Sequence, residues 1–512
     1  MNVLGFGEFH NAKEAKMNGS SKVSGVSGSF LFGAAYAYLC LPILVFMFGW
    51  FRLPLAVLSA AAVAVGFFCA VKDAPPAKIP RCTRENVARI ALISVVAVLW
   101  VLFSGIGGFS FQNGDHSYRN AILKMLVEKD WPVVITDTAP HFARPVAMVY
   151  YFAFWLPAAC VGKFLGLTAA HLFLFVWTVI GVLLVFYFVL AYTRRRSVFV
   201  VVAFIFFSGF DVVGYGMLEV IRKWNWSRSA LLISHMEWWA KGFQFSAFTT
   251  QLYWVFNQAL PAWLITLLIL HQKNCRSLAF IFSFALLFCT LPAAGLVPVA
   301  MYVFVRRCRD LRVKGESAGR NALFVAKDVL TVQNVLAGGI IGITSFLFLK
   351  INASGNHIAF AFRDFDVKLL MRFGAFIFLE AIVYYLAIFR SQSKNGLLYV
   401  SLVSLVCIPL VQVGYGADFC MRASIPSLVV LFLLVVTTLC QCRERGKNLN
   451  AVVLCVLLFL GSFTAQHEML RSLAHTAFRR TTAKEIDLFQ DWARRNFFGE
   501  YEDSAFFKYI AK

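Results

Sequence analysis

The chain contains many runs of about 20 apolar residues, and this feature restricts its possible folds more than any other. A helix of about that length crosses the hydrocarbon core of a bilayer. Hydrophobic residues make up 60% of the chain and charged residues only 14%, so a water-soluble domain could not bury the apolar surface. The sequence therefore predicts an all-α polytopic membrane protein.

Eleven of these runs are predicted to be single spans. They are Phe30–Phe51, Leu53–Val71, Ile90–Phe109, Ala169–Tyr192, Val198–Tyr215, Leu252–Leu270, Val329–Leu349, Leu369–Phe389, Leu397–Val413, Ile425–Leu439 and Ala451–Phe463. Two regions are ambiguous. Leu278–Val305 is interrupted by proline and glycine, and Pro145–Gly166 is apolar but contains Lys163.

Loop charge resolves both ambiguous regions. The basic clusters are Lys72/Lys78/Arg81/Arg84, Arg194–Arg196, Lys273/Arg276, Arg306/Arg307/Arg309/Arg312, Arg390/Lys394 and Arg443/Arg445/Lys447. Cytoplasmic loops are enriched in Lys and Arg, and all clusters lie on that side only if Leu278–Val305 crosses twice and Pro145–Gly166 does not cross. We therefore expect about thirteen transmembrane helices, with the N-terminus inside and the C-terminal tail outside.

The net charge of +22 and the twelve cysteines exclude other classes of function. The basic residues lie in short loops beside anionic lipid head groups, so no nucleic-acid partner is expected. The cysteines lie mostly inside apolar runs and show no CxxC spacing, so neither a disulfide framework nor a zinc site is predicted.

The polar residues of interest collect on the predicted extracytoplasmic side. They are Asp115, Asp137, His141, Arg144, Asp211, His235, Glu237, Asp418 and Arg422. The segment FQNGDHSYRNAILKML (111–126) follows an apolar span, and Asp115 opens a predicted helix at Ser117–Val127. An Asp at this position is either a helix N-cap or a carboxylate that acts as a general base or metal ligand.

Asp211 and the Asp418–Arg422 pair also have two interpretations each. Asp211 lies in the last turns of an apolar span, where a carboxylate is costly, so it is either a functional group facing a polar cavity or an interfacial residue. Asp418 and Arg422 are four residues apart. They form either a helical ion pair or a site in which the Arg guanidinium grips a phosphate.

The stretch HMEWWAKGFQFSAFTTQLYWVFNQALPAW (235–263) is rich in aromatic residues. Such a stretch is typical of an interfacial belt, and it would also suit stacking on sugar rings or isoprenoid chains. His235 and Glu237 are two residues apart, a spacing that is a weak signal for a metal site.

Together these segments resemble the GT-C superfamily of integral-membrane glycosyltransferases. The similar features are an Asp near the start of the first outer loop (QNGDH), a surface helix, the non-crossing segment RPVAMVYYFAFWLPAACVGKFLG and a helix ending in arginines. Their order is similar to that of lipid-A aminoarabinose transferases and protein O-mannosyltransferases. FFSGFDVVG, LYWVFNQALPAW and DFCMRASIP also resemble segments of uncharacterised bacterial members.

The resemblance implies transfer of a sugar from a polyprenyl-phosphate carrier to a glycan, lipid or protein acceptor of the cell envelope, with inversion, at the outer face of the inner (plasma) membrane. Asp115, with Asp211 as a second candidate, would be catalytic. The expected substrate-binding residues are His116, Arg119, Arg144, His235, Glu237, Asp418 and Arg422. Arg422, with Arg144 or Arg119, would hold the carrier phosphate. Because Asp115 has no DxD partner, participation of a divalent cation is left open.

The expected organisation is a cytoplasmic segment (1–29), a transmembrane hairpin with a cytoplasmic loop (30–89), a GT-C-like catalytic bundle (90–463) and an extracytoplasmic tail (464–512). A secondary transporter or flippase of a lipid-linked or anionic solute is the alternative, and a structural or assembly protein is a third class. Carboxylates at mid-membrane would favour transport. A lipid-facing groove leading to Asp115 would favour transfer.

Overall fold

The structure is a computed structural model that describes residues 27–75, 84–137, 144–195, 197–221, 235–313, 315–352, 358–363, 366–414, 416–444, 446, 448–479, 486, 488 and 496–512. It is predominantly helical, as predicted for a polytopic membrane protein. Two small antiparallel sheets accompany the helices, which an all-α fold did not anticipate.

Ten helices of the described residues are long and apolar enough to cross a membrane. They are α1 (Ser27–Trp50), α2 (Leu53–Asp73), α3 (Arg84–Leu102), α6 (Leu167–Thr193), α9 (Phe248–His271), α11 (Thr290–Leu311), α13 (Gln333–Asn352), α14 (Val367–Gln392), α17 (Ile425–Glu444) and α18 (Asn448–Arg479). This finding supports a multi-pass membrane protein.

The other three predicted spans are short or interrupted helices. Leu278–Phe288 (α10) and Gly396–Leu410, whose α-helical part is α15 (Gly396–Cys407), are each shorter than 18 residues. The run Val198–Tyr215 is divided into α7 (Val198–Ile205) and α8 (Asp211–Ile221) by a non-helical stretch. A total of thirteen spans therefore stays a prediction.

The predicted first outer loop contains a surface helix and a small sheet. Helix α4 (Asp115–Glu128) includes the predicted Ser117–Val127 and is longer at both ends. Strand β1 (Val134–Ile135) pairs with β2 (Val146–Met148), and β2 pairs with β5 (Phe498–Glu500) near the end of the chain. Residues of the predicted tail therefore complete the structure of this loop.

The apolar segment Pro145–Gly166 contains β2 and a helix too short to cross a bilayer. The helical part is Ala153–Leu165, which includes α5 (Leu156–Leu165) and ends at Gly166 with a positive φ of 86°. This helix is shorter than the roughly 20 residues that a span needs, and non-crossing of the segment stays a prediction.

Helix α18 is much longer than the predicted span Ala451–Phe463. It continues without a break to Arg479, so the expected boundary between bundle and tail at residue 463 lies inside a helix. This continuation places Glu468 and Arg471 in the protein interior, where both side chains are buried.

Helix α9 is the centre of the bundle. Almost all of its side chains are buried, and its Trp263 stacks on Trp100 of α3 with ring centroids 6.0 Å apart. Pro261 lies inside this helix. Side chains on every side of α9 are buried, polar ones included, because other helices surround it.

A close approach fixes the short helix α16 (Asp418–Ala423) against the bundle. A Cβ atom at Gly295 of α11 would lie 1.8 Å from the carbonyl oxygen of Ala423. Only glycine permits this approach of the two backbones, so Gly295 determines where α16 and its polar side chains lie.

Candidate functional site

A cavity of about 470 Å³ lies where four parts of the predicted outer side meet. They are the start of α4, the segment 235–244, the start of α9 and α16. Its walls include the charged or titratable side chains Asp115, His235, Lys241, Asp418 and Arg422. Four of the predicted site residues, from distant parts of the sequence, therefore share one cavity.

Asp115 is the first residue of α4, but the polar cap belongs to another residue. The Oδ1 atom of Asn113 accepts a hydrogen bond of 3.1 Å from the Asp115 backbone N–H. The Asp115 carboxylate instead forms an ion pair of 3.1 Å with Arg119, one turn further along the helix. The Asp115 side chain is 39% exposed, so it is accessible from the cavity.

Arg119 and Arg422 are two buried guanidinium groups, and both are near enough to the pair Tyr150 and Tyr151 to act on it electrostatically. The rings of Tyr150 and Tyr151, which follow β2, have centroids 3.8 Å apart. Burial raises the pKa of Tyr151, while the positive charges of Arg422 and Arg119 lower it. The Nε atom of each arginine is buried and has no hydrogen-bond partner among the described residues. Of the two, only Arg422 lines the cavity, so its guanidinium is the one that a bound anion could reach.

Arg422 is held by Asp418 in the short helix α16. Its Nη1 atom lies 2.5 Å from Asp418 Oδ1 and donates a further hydrogen bond of 3.3 Å to the Asp418 carbonyl oxygen. The predicted ion pair is therefore present. It does not exclude phosphate binding, because the Arg422 side chain is only 10% exposed and still lines the cavity.

His235 leads to a polar cluster that the sequence reasoning missed. Its Nδ1 atom lies 3.6 Å from Oε1 of Glu468, and Glu468 is paired with Arg471 at 2.8 Å. The Nε1 atom of Trp254 donates to Glu468 at 3.1 Å, and the Arg471 guanidinium lies 5.1 Å from the Trp254 ring centroid. The sequence contained one signal for this cluster: Glu468 and Arg471 have opposite charges and lie three positions apart in HEMLR (467–471).

Glu237 lies one layer behind the cavity wall. Its carboxylate accepts hydrogen bonds from the Gln244 side chain at 2.7 Å and from the Ala247 backbone N–H at 2.9 Å. Burial raises the pKa of Glu237 to about 7, against the opposing effect of His235. Glu237 is therefore placed to support Gln244, which lines the cavity, rather than to touch a ligand.

His116 and Arg144 do not line the cavity. His116 is buried with its Nε2 atom 3.1 Å from the Ser104 carbonyl oxygen and 3.2 Å from that of Tyr253, and burial together with Arg119 lowers its pKa to about 4. A neutral imidazole that donates to these carbonyls connects α4 to α9. Arg144 is exposed and pairs with Asp503 at 3.3 Å. Asp137 is exposed just after β1, and His141 lies outside the described residues.

Asp211 is buried away from the cavity wall and beside a second acid, Glu380. Glu380 lies near the midpoint of α14, a helix long enough to cross the membrane. No sequence pattern pairs these two residues, because 168 intervening positions separate them.

A groove of about 830 Å³ lies between α11 and α15. Ala294 and Gly295 line one end, and Arg306, Arg309 and Lys394 line the other. Gly295 is also the residue that closely approaches Ala423, so the groove reaches α16, the helix whose Arg422 lines the cavity. Much of the lining between the ends is apolar, as expected where a helix pair faces lipid.

Within the described residues, no group of three or more His, Cys, Asp or Glu side chains could hold a metal ion. The possible divalent cation therefore has no ligand set in that part of the chain. Searches of protein families, curated proteins and solved structures find no match to this chain.

Proposed function

We propose that the protein is a glycosyltransferase of the bacterial inner membrane that moves a sugar from a polyprenyl-phosphate carrier to a cell-envelope acceptor. The observation that carries this proposal is the cavity lined by both Asp115 and Arg422, together with a groove in the membrane domain that reaches α16, the helix that contains Arg422. The proposed donor would come from the bilayer and the acceptor from water, so the two can react only at a site that both can reach.

In the proposed reaction, the acceptor hydroxyl oxygen attacks the anomeric carbon of the sugar. The bond from that carbon to the phosphate oxygen breaks, polyprenyl phosphate leaves, and the configuration is inverted. Asp115 accepts the hydroxyl proton, a role that suits an ionised carboxylate exposed to the cavity. Arg422, with the nearby buried Arg119, offsets the charge that develops on the phosphate.

Aromatic side chains of the cavity suit the sugar itself. Trp238 lines the cavity and is 59% exposed, so one face of its indole is available for stacking on a sugar ring. Trp254 lines the same cavity, where Arg471 lies against its ring. Lys241 adds a second cation to the wall.

The test is donor turnover by the purified protein in proteoliposomes, measured as polyprenyl phosphate released from a panel of polyprenyl-phosphate sugars with envelope extract as acceptor. Arg422→Lys keeps the positive charge but loses the planar guanidinium group, which can donate two parallel hydrogen bonds to a phosphate. It should raise the donor KM by about 10- to 100-fold, the effect of losing one charge-assisted hydrogen bond.

Arg443→Lys is the matched control, because Arg443 is near the other end of α17, about 27 Å along the helix axis from Ile425. It should leave the donor KM unchanged. No release from any donor of the panel by the folded wild-type protein would refute the proposed function.

A second candidate function is proton-coupled transport. It is favoured by Glu380, a buried carboxyl group near the midpoint of the membrane-length helix α14, and by the break between α7 and α8 beside it. Broken helices and intramembrane carboxyls occur in transporters. Uptake of a solute driven by a pH gradient, without release of polyprenyl phosphate, would support this alternative.

A further inference from the structure

Asp211 and Glu380 form a buried pair of acids that the proposed transfer reaction does not use. Each residue is 1% exposed. The indole N–H of Trp239 joins them, with Nε1 lying 3.1 Å from Asp211 Oδ1 and 3.4 Å from Glu380 Oε1. Two carboxylates this close in a buried site cannot both ionise without a large repulsive cost.

The surroundings of Asp211 stabilise an anion. It is the first residue of α8, where the helix dipole favours negative charge. Its Oδ2 atom accepts hydrogen bonds from the hydroxyl groups of Ser208 at 3.2 Å and Thr464 at 3.0 Å. With Trp239, three donors from three parts of the fold therefore point at this carboxylate.

The surroundings of Glu380 stabilise a neutral acid. It lies inside a π-helical turn, Phe378–Ile382, far from either end of α14. Within the described part of the chain, the Trp239 indole donates to it at 3.4 Å, and its Oε2 atom is buried with no hydrogen-bond partner. A Cβ atom at Gly209 would lie 1.8 Å from Oε2, so the chain closes directly over this oxygen.

In the part of the chain that the structure describes, no basic side chain compensates the pair. The titratable groups that act on Glu380 are Asp211 and Glu237, and Glu380 in turn acts on Tyr384 of the same helix. Across the described residues, neither acid forms an ion pair with Lys, Arg or His. His235 instead lies 3.6 Å from Glu468 and lowers the pKa of Glu237. A positive charge must therefore come from a bound proton or another cation.

We propose that Asp211 and Glu380 form a binding site for a single proton, which resides on Glu380 and is shared with the Asp211 carboxylate. The proton removes the repulsion between the two acids. It also keeps Trp239 bonded to both, and Trp239 adjoins Trp238 in the cavity wall. The site requires neither the proposed transfer reaction nor its substrates.

Infrared spectroscopy of the full-length protein tests this site directly. The spectrum should contain a protonated-carboxyl band that shifts in D2O and persists at about pH 9, where Glu237, with its pKa of about 7, is ionised. Glu380→Gln should remove the band and leave the melting temperature nearly unchanged, because the amide is also neutral. Glu468→Gln is the matched control and should keep the band, since Glu468 is paired with Arg471.

Asp211→Asn should instead destabilise the protein, because the three donors around it then lack an anion. Absence of the band from the wild-type spectrum would refute the proposal without any variant. Stabilisation by sodium together with that absence would assign the site to a metal cation instead. A band that survives in Glu380→Gln would place the proton on another residue and also overturn the proposal.

Discussion

Replacement of Asp115 by Asn separates a catalytic role from a structural one. The change removes one negative charge but keeps the side-chain shape, and Asn113 still caps α4 through its Oδ1 atom. The structural loss is the ion pair with Arg119, in which Asp115 is 39% exposed and Arg119 is 9% exposed. Exposed pairs contribute about 0.2–1 kcal/mol, and burial of Arg119 increases the cost to about 2 kcal/mol.

The expected catalytic loss is larger. Removing a general base lowers a rate by about 10²–10⁴-fold, which is about 3–5 kcal/mol of activation free energy. We therefore expect Asp115→Asn to insert and fold, with a melting temperature a few degrees below the wild type, and to release polyprenyl phosphate at least about 100-fold more slowly. Turnover must be measured per folded protein, at saturating donor.

Asn113→Ala is the control for this variant. It removes the acceptor of the Asp115 backbone N–H and the hydrogen bond from Asn113 Nδ2 to the Tyr253 carbonyl oxygen, but it leaves the Asp115 carboxylate in place. It should therefore cost about 2 kcal/mol of stability and retain most of the turnover. If Asp115→Asn keeps turnover within about threefold of the wild type, the catalytic role assigned from the geometry is wrong. His235, which lines the same cavity and faces Glu468, would then be the next candidate for the base.

Two further predictions concern stability and topology. Burial raises the pKa of Glu237 to about 7, whereas an unfolded Glu titrates near about 4.3, so the folded protein binds the proton more tightly. The resulting stabilisation is present below about pH 4.3 and is lost as the pH rises to about 7, by up to about 4 kcal/mol. Thermal unfolding of Glu237→Gln should lack this part of the pH dependence, and an unchanged profile would contradict the pKa. A cysteine at Gly114 should react with an impermeant thiol reagent on intact cells and one at Ser391 should not, whereas labelling of both positions would refute the predicted topology.

Much of the helical framework follows from short-range patterns. The run Phe30–Phe51 agrees closely with α1, and Ala169–Tyr192 lies within α6. Length and hydrophobicity are sufficient here, because a helix that crosses a bilayer must satisfy its own backbone hydrogen bonds over a fixed thickness. Helix α18 was predicted too short, since polar residues such as Glu468 end an apolar run without ending a helix.

The candidate site was predictable only in part. Loop charge assigned Asp115, His235, Asp418 and Arg422 to one side of the membrane, and the cavity brings these four together. The same reasoning grouped Arg144 with them, although this exposed side chain pairs with Asp503 instead. Loop charge predicts on which side of the membrane a residue lies, but it does not predict which residues on that side are close to one another.

The apolar runs and the placement of basic loops determine that this chain is a helical membrane protein, because both are properties of contiguous sequence read against a bilayer of constant thickness. The partners of each buried polar group depend on packing between distant segments. Gly295 admits the backbone of Ala423, and Gly209 lets the chain close over Glu380. These contacts join residues far apart in the chain. Because an unpaired polar group in the interior is costly, each buried polar group needs a partner, and tertiary packing rather than neighbouring sequence supplies it.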